Sequence, residues 1–262
     1  MSKVIQQQKQ YKILLIGECC QDVYVYGDVN RLNPEAPVPV LKKTNKIKKE
    51  GMAGNVFNNI KSLGKNISDI VAFFNDPKLI KKIRFIDKKS NYQLLRYDIE
   101  NILTPLRFIE IPKESFDAII ISDYNKGYLT DELIKEITSF YKNTKIFVDT
   151  KRSNLSIFKN CVIKINNAEN KKCYNVPESA DVIVTLGAEG CTFKGKSYKT
   201  KKVDVHDVCG AGDVFLSSMV IGWLETKNMQ KAIEIANQCA SISVTKHGCY
   251  TVKRKEYENI CL

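Results

Sequence analysis

The stretch Asp207-Val208-Cys209-Gly210-Ala211-Gly212-Asp213 runs straight into Val214-Phe215-Leu216-Ser217-Ser218-Met219-Val220-Ile221, which reads as a buried helix. A Gly-Ala-Gly turn opening a helix presents backbone N–H groups without intrahelical partners at the positive end of the helix dipole, which makes an anion site. The glycines remove the Cβ atoms that would hold a phosphate off the backbone. Asp213, on the first helical turn, would be out of place if holding an anion were the whole task. It makes sense as a base for a hydroxyl attacking the phosphate, with the N–H groups of Gly210, Ala211 and Gly212 stabilising the charge that develops. The plainer alternative is a helix N-terminus whose Asp213 complements the dipole.

The chain has 262 residues, enough for one large domain, and its 44% hydrophobic content is ordinary for a globular protein. No apolar run reaches the length of a membrane span, and residues 1–12 lack a signal-peptide core, so no membrane association is expected. The net charge of +12 is spread along the chain rather than gathered in an aromatic-interleaved patch, so no nucleic-acid partner is expected; a basic surface would still attract phosphorylated substrates. Nine cysteines, with no paired CxxC sites, read as reduced residues of a cytoplasmic protein.

Working outward from the turn, Tyr11–Gly17, Ala118–Ser122, Lys145–Val148, Val162–Ile165 and Val182–Leu186 read as strands that alternate with helices over 131–141 (capped by Thr130) and 229–244. Each strand ends near a polar residue or glycine. In an open parallel sheet that places Asp22, Asp123, Asp149, Asn166, Gly187 and the 210–213 turn on one ligand-binding side. The Pro-punctuated stretch 31–40 reads as an edge or lid strand, and 82–98 as a hairpin. Segments 23–48 and 82–98 fall outside the main sheet and are assigned to a small β lid on a single domain spanning 1–262. A helix over 56–63, closed by Gly64, follows Gly51-Met52-Ala53-Gly54-Asn55.

The Asp207–Asp213 stretch resembles the signature of the ribokinase-like (PfkB-type) carbohydrate kinases. Several others are similar to the heptose-7-phosphate kinases of lipopolysaccharide precursor synthesis: Arg31–Val40, Ala53–Leu63, Tyr92–Asp98, Ser122-Asp123-Tyr124-Asn125-Lys126-Gly127, Val148–Arg152 and Asn166-x-x-Glu169. The matches run in order from about residue 13 to about residue 252. The resemblance implies a three-layer α/β/α fold with a β lid, often dimeric through that lid. It implies ATP with Mg²⁺ as donor and phosphoryl transfer to a sugar hydroxyl, closest to O1 of D-glycero-D-manno-heptose 7-phosphate.

By position, Asp213 matches the catalytic base and Gly210, Ala211 and Gly212 the anion hole. Asn166 and Glu169 match the pair that organises Mg²⁺ through water. Thr185, Gly187 and Gly190 match a nucleotide-binding turn, and Asn237, Lys246 and Gly248 the segment flanking the adenine. Asp207 matches a position linked to a monovalent cation such as K⁺. Asp22, Gly51 and Asn55 match sugar contacts, and Arg84, Arg96, Asp123 and Lys126 lie in stretches close to the phosphorylated sugar.

Taken singly, these residues have plainer meanings. Asp22, Asp123 and Asp149 could end strands, Asn166 and Glu169 could cap a helix, and Arg84 and Arg96 could be solvated lid residues. His206 and His247 read as bystanders. Four departures stand out. Met52 replaces a glycine at the sugar site, where its side chain could crowd the sugar, and Cys209 replaces the usual Thr. The stretch between Gly64 and Lys81 is short, as if a strand–helix unit were missing. The chain ends at Leu262 without a nucleotidyltransferase region, so only the first of two sometimes fused activities is expected. The other readings kept are a kinase of another sugar and a degenerate kinase that binds without turnover.

Overall fold

The structure, a computed structural model, describes residues 9–261. In chain order the elements are β1 (Tyr11–Gly17), β2 (Cys19–Leu32), β3 (Pro39–Met52), α1 (Ala53–Leu63), β4 (Ile67–Phe74), β5 (Ile80–Asp87), β6 (Gln93–Glu100), β7 (Ala118–Asp123) and α2 (Asp131–Phe140). They continue with β8 (Ile146–Thr150), β9 (Cys161–Asn166), α3 (Asn167–Asn170), β10 (Asp181–Thr185), β11 (Cys191–Phe193), β12 (Lys196–Tyr198), α4 (Ala211–Thr226), α5 (Met229–Val244) and α6 (Arg254–Cys261).

The main sheet has eight strands in the order β12-β11-β10-β9-β8-β7-β1-β4, parallel from β10 to β4, with β11 and β12 antiparallel at one edge. Its central strands are apolar on both faces because helices cover both. Ile13 and Leu15 of β1 pack with Val56 and Ile60 of α1, Met219 of α4 and Ile233 of α5. Leu14 and Ile16, pointing the other way, pack with Leu133, Ile134 and Ile137 of α2. The result is three layers. Helix α4 is apolar all round and buried from Val214 to Gly222, so the turn that opens it is held rigidly at the carboxyl ends of the strands. Among the described residues no helix is long and apolar enough to cross a membrane.

A second sheet has the order β3-β2-β5-β6, with β2 and β5 parallel and the outer pairs antiparallel. Strands β2 and β3 are longer than the pattern of the sequence suggests. The stretch 31–40 is not one strand. Leu32 ends β2 and Pro39 starts β3; between them Asn33 Oδ1 accepts the Glu35 N–H, and Pro34 and Pro37 have no N–H to give a ladder. The short stretch after Gly64 holds the edge strand β4 and then a single helical turn, Pro77–Leu79, that leads directly into β5. Residues 201–205, which lead toward the glycine turn, form no strand.

Candidate active site

Gly210 caps α4 in the left-handed conformation, with φ 74°, which a residue with a side chain adopts only under strain. The N–H groups of Gly210, Gly212 and Asp213 find no acceptor among the described residues, so three donors at the helix start remain for an outside partner. A Cβ on Gly212 would lie 2.6 Å from Lys164 Nζ, so a larger residue there would have to displace the lysine head group. Lys164, buried in β9, pairs with the buried Asp149 of β8 at 2.7 Å. Burial alone would push the Asp149 carboxyl up, but Lys164 and Lys151 beside it hold it below the usual carboxylate range.

Asp213 is 4% exposed. Its Oδ1 accepts the Tyr124 hydroxyl at 2.9 Å and its Oδ2 accepts Asn55 Nδ2 at 3.0 Å. The Asn55 amide is turned that way because its Oδ1 accepts Asn59 Nδ2 at 3.2 Å. Desolvation raises the Asp213 carboxyl to about 6, with the nearby Asp149 charge adding to it and the two hydrogen bonds opposing it. A carboxyl so placed is charged at neutral pH yet basic enough to accept a proton.

The second sheet supplies the facing wall. Asp22 on β2 is ion-paired with Arg84 on β5, and the Arg84 guanidinium lies 5.2 Å from the Tyr24 ring centre. Gly51 backs onto the Asp22 carboxylate. Arg96 sits directly across the β5–β6 ladder from Arg84, half exposed, and shares its charge with Asp98 at 2.7 Å. Lys82 lies over the Tyr124 ring at 5.3 Å, which adds a third cation. Met52 does not crowd this wall. Its backbone holds φ 60° and ψ −131°, a glycine conformation, and its side chain packs into the core with Leu14, Ile16 and Ile80.

On the other side of the turn lies a cavity of about 430 Å³ lined by Thr185, Gly187, Gly190, Gly212, Asn237 and Val244, among others. Lys246 and Gly248 are not part of its lining. Lys246 is exposed, and the Gly248 N–H donates to Asp207 Oδ2 at 2.9 Å, on the Tyr24 side. Asp207 Oδ1 accepts the Cys209 N–H at 2.8 Å, so this carboxylate braces two loops at the base of the turn.

Asn166 and Glu169 form a reciprocal cap on α3: Asn166 Oδ1 accepts the Glu169 N–H and Glu169 Oε2 accepts the Asn166 N–H. The other oxygen of Glu169 pairs with Lys151 at 2.7 Å. As a half-buried hard-oxygen donor beside the cradle, Glu169 fits Mg²⁺ held through water.

Asp123 is expected near the phosphorylated sugar, and the structure places it below the surface of the cleft. It is fully buried and its oxygens are taken by the Asn125 N–H, the Thr150 hydroxyl and Arg152 Nε. Lys126 is paired through Nζ with both oxygens of Glu100 on β6. Sequence reasoning missed Glu18, whose buried carboxylate accepts the N–H groups of Tyr124, Lys126 and Tyr128 and so sets the loop that aims Tyr124 at Asp213. It also missed Lys164, although a lysine inside an apolar strand is a signal for a buried partner. His206 and His247 are both exposed, with rings 5.2 Å apart and no link to Asp213.

Residues 162–256 match the model of the pfkB family of carbohydrate kinases. The bifunctional protein HldE of Helicobacter pylori (strain J99) is 33% identical over 90% of this chain and 63% of its own length. HldE of Campylobacter jejuni subsp. doylei is 30% identical over 99% of this chain and 66% of its own length. The chain thus spans about two thirds of these curated relatives. The alignments run to 294 and 306 positions, longer than this chain, so the relatives hold segments that it lacks. Among solved structures, the ribokinase of Thermotoga maritima superposes with TM-score 0.71 at 19% identity, covering 96% of this chain and 99% of that one. Phosphofructokinase-2 of Escherichia coli, in complex with potassium, gives TM-score 0.74 at 15% identity, covering 97% and 98%. At these identities the likeness shows the fold, which is ribokinase-like.

Proposed function

This chain belongs to the pfkB family of carbohydrate kinases, and we propose that it transfers the γ-phosphoryl group of ATP to a phosphorylated sugar, with O1 of D-glycero-D-manno-heptose 7-phosphate as acceptor. The observation that carries this reading is the Asp213 carboxylate, held by Tyr124 and Asn55 at the mouth of three unpartnered N–H groups. It lies between an apolar cavity and a wall bearing Lys82, Arg84 and Arg96. The stretches similar to heptose-7-phosphate kinases, Arg31–Val40 and Tyr92–Asp98 among them, are what favour a heptose acceptor.

In this reading the adenine occupies the cavity beside Thr185, Gly187, Gly190 and Asn237. The cationic wall takes the phosphate already on the sugar, and Asp22 and Asn55 take its hydroxyls. Asp213 removes the proton from the attacking hydroxyl, while the Gly210, Gly212 and Asp213 N–H groups offset charge on the phosphoryl oxygens as it passes. When bound, Mg²⁺ neutralises the donor phosphates, and Glu169 with Asn166 would hold it through water. Asp207 would brace the loops around a monovalent cation. Most of the barrier reduction then comes from positioning, which suits a reaction needing little covalent help.

The single domain over 1–262 and the lid role of the second sheet belong to the same proposal. So does a homodimer through that sheet, where Leu32, Ile47, Leu95 and Tyr97 leave large apolar side chains exposed. A kinase of another phosphorylated sugar is the second reading, favoured by the short stretch from Gly64 to Lys81. The test is ³¹P NMR of heptose 7-phosphate incubated with Mg-ATP and the protein. A new anomeric phosphate with retained 7-phosphate supports the first reading; transfer only to other sugars in a panel supports the second.

A further inference from the structure

Cys209 and Cys249 are 40 positions apart, on the two loops that Asp207 ties together, and their Sγ atoms are 2.8 Å from each other. That is inside van der Waals contact and approaches the disulfide length of about 2.05 Å. Cys249 is buried and Cys209 half-buried, so an oxidant from the cleft reaches Cys209 first and Cys249 lies behind it. Tyr24 Oη lies 3.8 Å from Cys209 Sγ and 3.7 Å from Cys249 Sγ. Cys249 Sγ lies 3.5 Å from Asp22 Oδ2. The cluster of Asp22, Cys209 and Cys249 has the donors of a soft metal site. Two thiolates sharing a tetrahedral zinc at about 2.3 Å would, however, stand roughly 3.8 Å apart. Asp22 is also already paired with Arg84. The spacing suits a covalent bond better than a shared ion.

We propose that Cys209 and Cys249 are a modification site: a dithiol that closes to a disulfide under a low-molecular-weight disulfide oxidant and thereby slows the kinase. Cys209 sulfur attacks the oxidant, RSSR, forming a mixed disulfide and releasing one RSH. Cys249 sulfur then attacks the Cys209 sulfur and releases the second. Two electrons pass from the protein dithiol to the oxidant, and the two thiol protons leave on the two RSH molecules. The bond removes the Cys249 S–H that faces Asp22. It also ties the residue before Gly210 to the loop after Gly248, so the cradle can no longer adjust around a phosphoryl group. The effect on turnover rests on the function proposed above, but formation of the bond does not.

The test equilibrates the full chain in glutathione/glutathione disulfide mixtures, alkylates the remaining thiols, and reads intact mass and cross-linked peptides alongside ADP release. The expected result is loss of two alkylatable thiols in a 209–249 cross-link, reversed by dithiothreitol, with turnover lowered about 10- to 100-fold in the oxidised form. Cys249→Ser should lose the oxidant sensitivity measured against its own reduced activity. Nine alkylatable thiols throughout, or glutathione retained on Cys209 without a cross-link, would overturn the bond. A cross-link with unchanged ADP release would overturn the effect on the site. Absence of ADP release even in the reduced protein would count against the kinase reading, while the mass measurement still decides the bond.

Discussion

The Tyr124 hydroxyl, on the loop after β7, donates to Asp213 Oδ1, on the first turn of α4, across 2.9 Å. This bond joins two halves of the chain at the proposed base. It stabilises the charged carboxylate and so opposes the upward push of burial. Tyr124→Phe removes the donor and keeps the ring between Lys82 and Lys151. The acid limb of the pH–rate profile should therefore move to higher pH. A limb that stays in place would mean that Tyr124 does not act on Asp213.

The pH dependence of the native enzyme follows from the same group. Burial pushes the folded Asp213 carboxyl up to about 6, against 3.8 as an ordinary carboxyl, so kcat should fall as pH drops through about 6. Stability runs the other way. Between 3.8 and about 6 the folded state binds more protons at this site than the unfolded state, so stability declines as pH rises through that window. Above it, Asp213→Asn should raise stability, by at most about 3 kcal/mol, because the charge need no longer be buried. Denaturant unfolding at pH 7.5 checks this; a less stable variant would contradict it.

Position 52 carries a conflict between backbone and side chain. Met52 holds a glycine conformation but fills a buried core site. Met52→Ala loses the burial and keeps the strain, whereas Met52→Gly loses the burial and relieves it. Both variants should be destabilised, and Met52→Gly should be the more stable by about 1 kcal/mol, the reverse of the usual order. Thermal unfolding of the pair decides it.

Arg96 is half exposed and, among the described residues, paired only with Asp98, so it contributes little to folding. Arg96→Ala should raise KM for a phosphorylated acceptor several-fold, with KM for ATP and the melting temperature nearly unchanged. An equal rise in both KM values would remove Arg96 from the acceptor side.

Much of the fold can be read in the chain because the strands are short apolar runs ending in polar residues or glycine, and α4 announces itself by a Gly-Ala-Gly turn. The β11–β12 hairpin has little sequence signal. Its strands are three residues each, and its turn, Lys194-Gly195, holds positive φ at both positions, a signal that Lys-Gly gives weakly. The site is less readable than the fold. Asp123 matches a stretch placed near the sugar, yet its partners Thr150 and Arg152 come from another strand end. Cys209 and Cys249 each look like solitary thiols, since only tertiary structure brings sulfurs 40 residues apart into contact. Pairings between distant, individually unremarkable residues carry no local pattern.

The proposed mechanism stands on Asp213 acting as the base of a sugar kinase. It is tested most directly by ADP release from Mg-ATP with heptose 7-phosphate, wild type against Asp213→Asn, with ATP binding measured in parallel. Turnover is expected in the wild type, with a loss of about 10²–10⁴-fold in the variant and ATP affinity nearly intact. Equal turnover in the two proteins would contradict it.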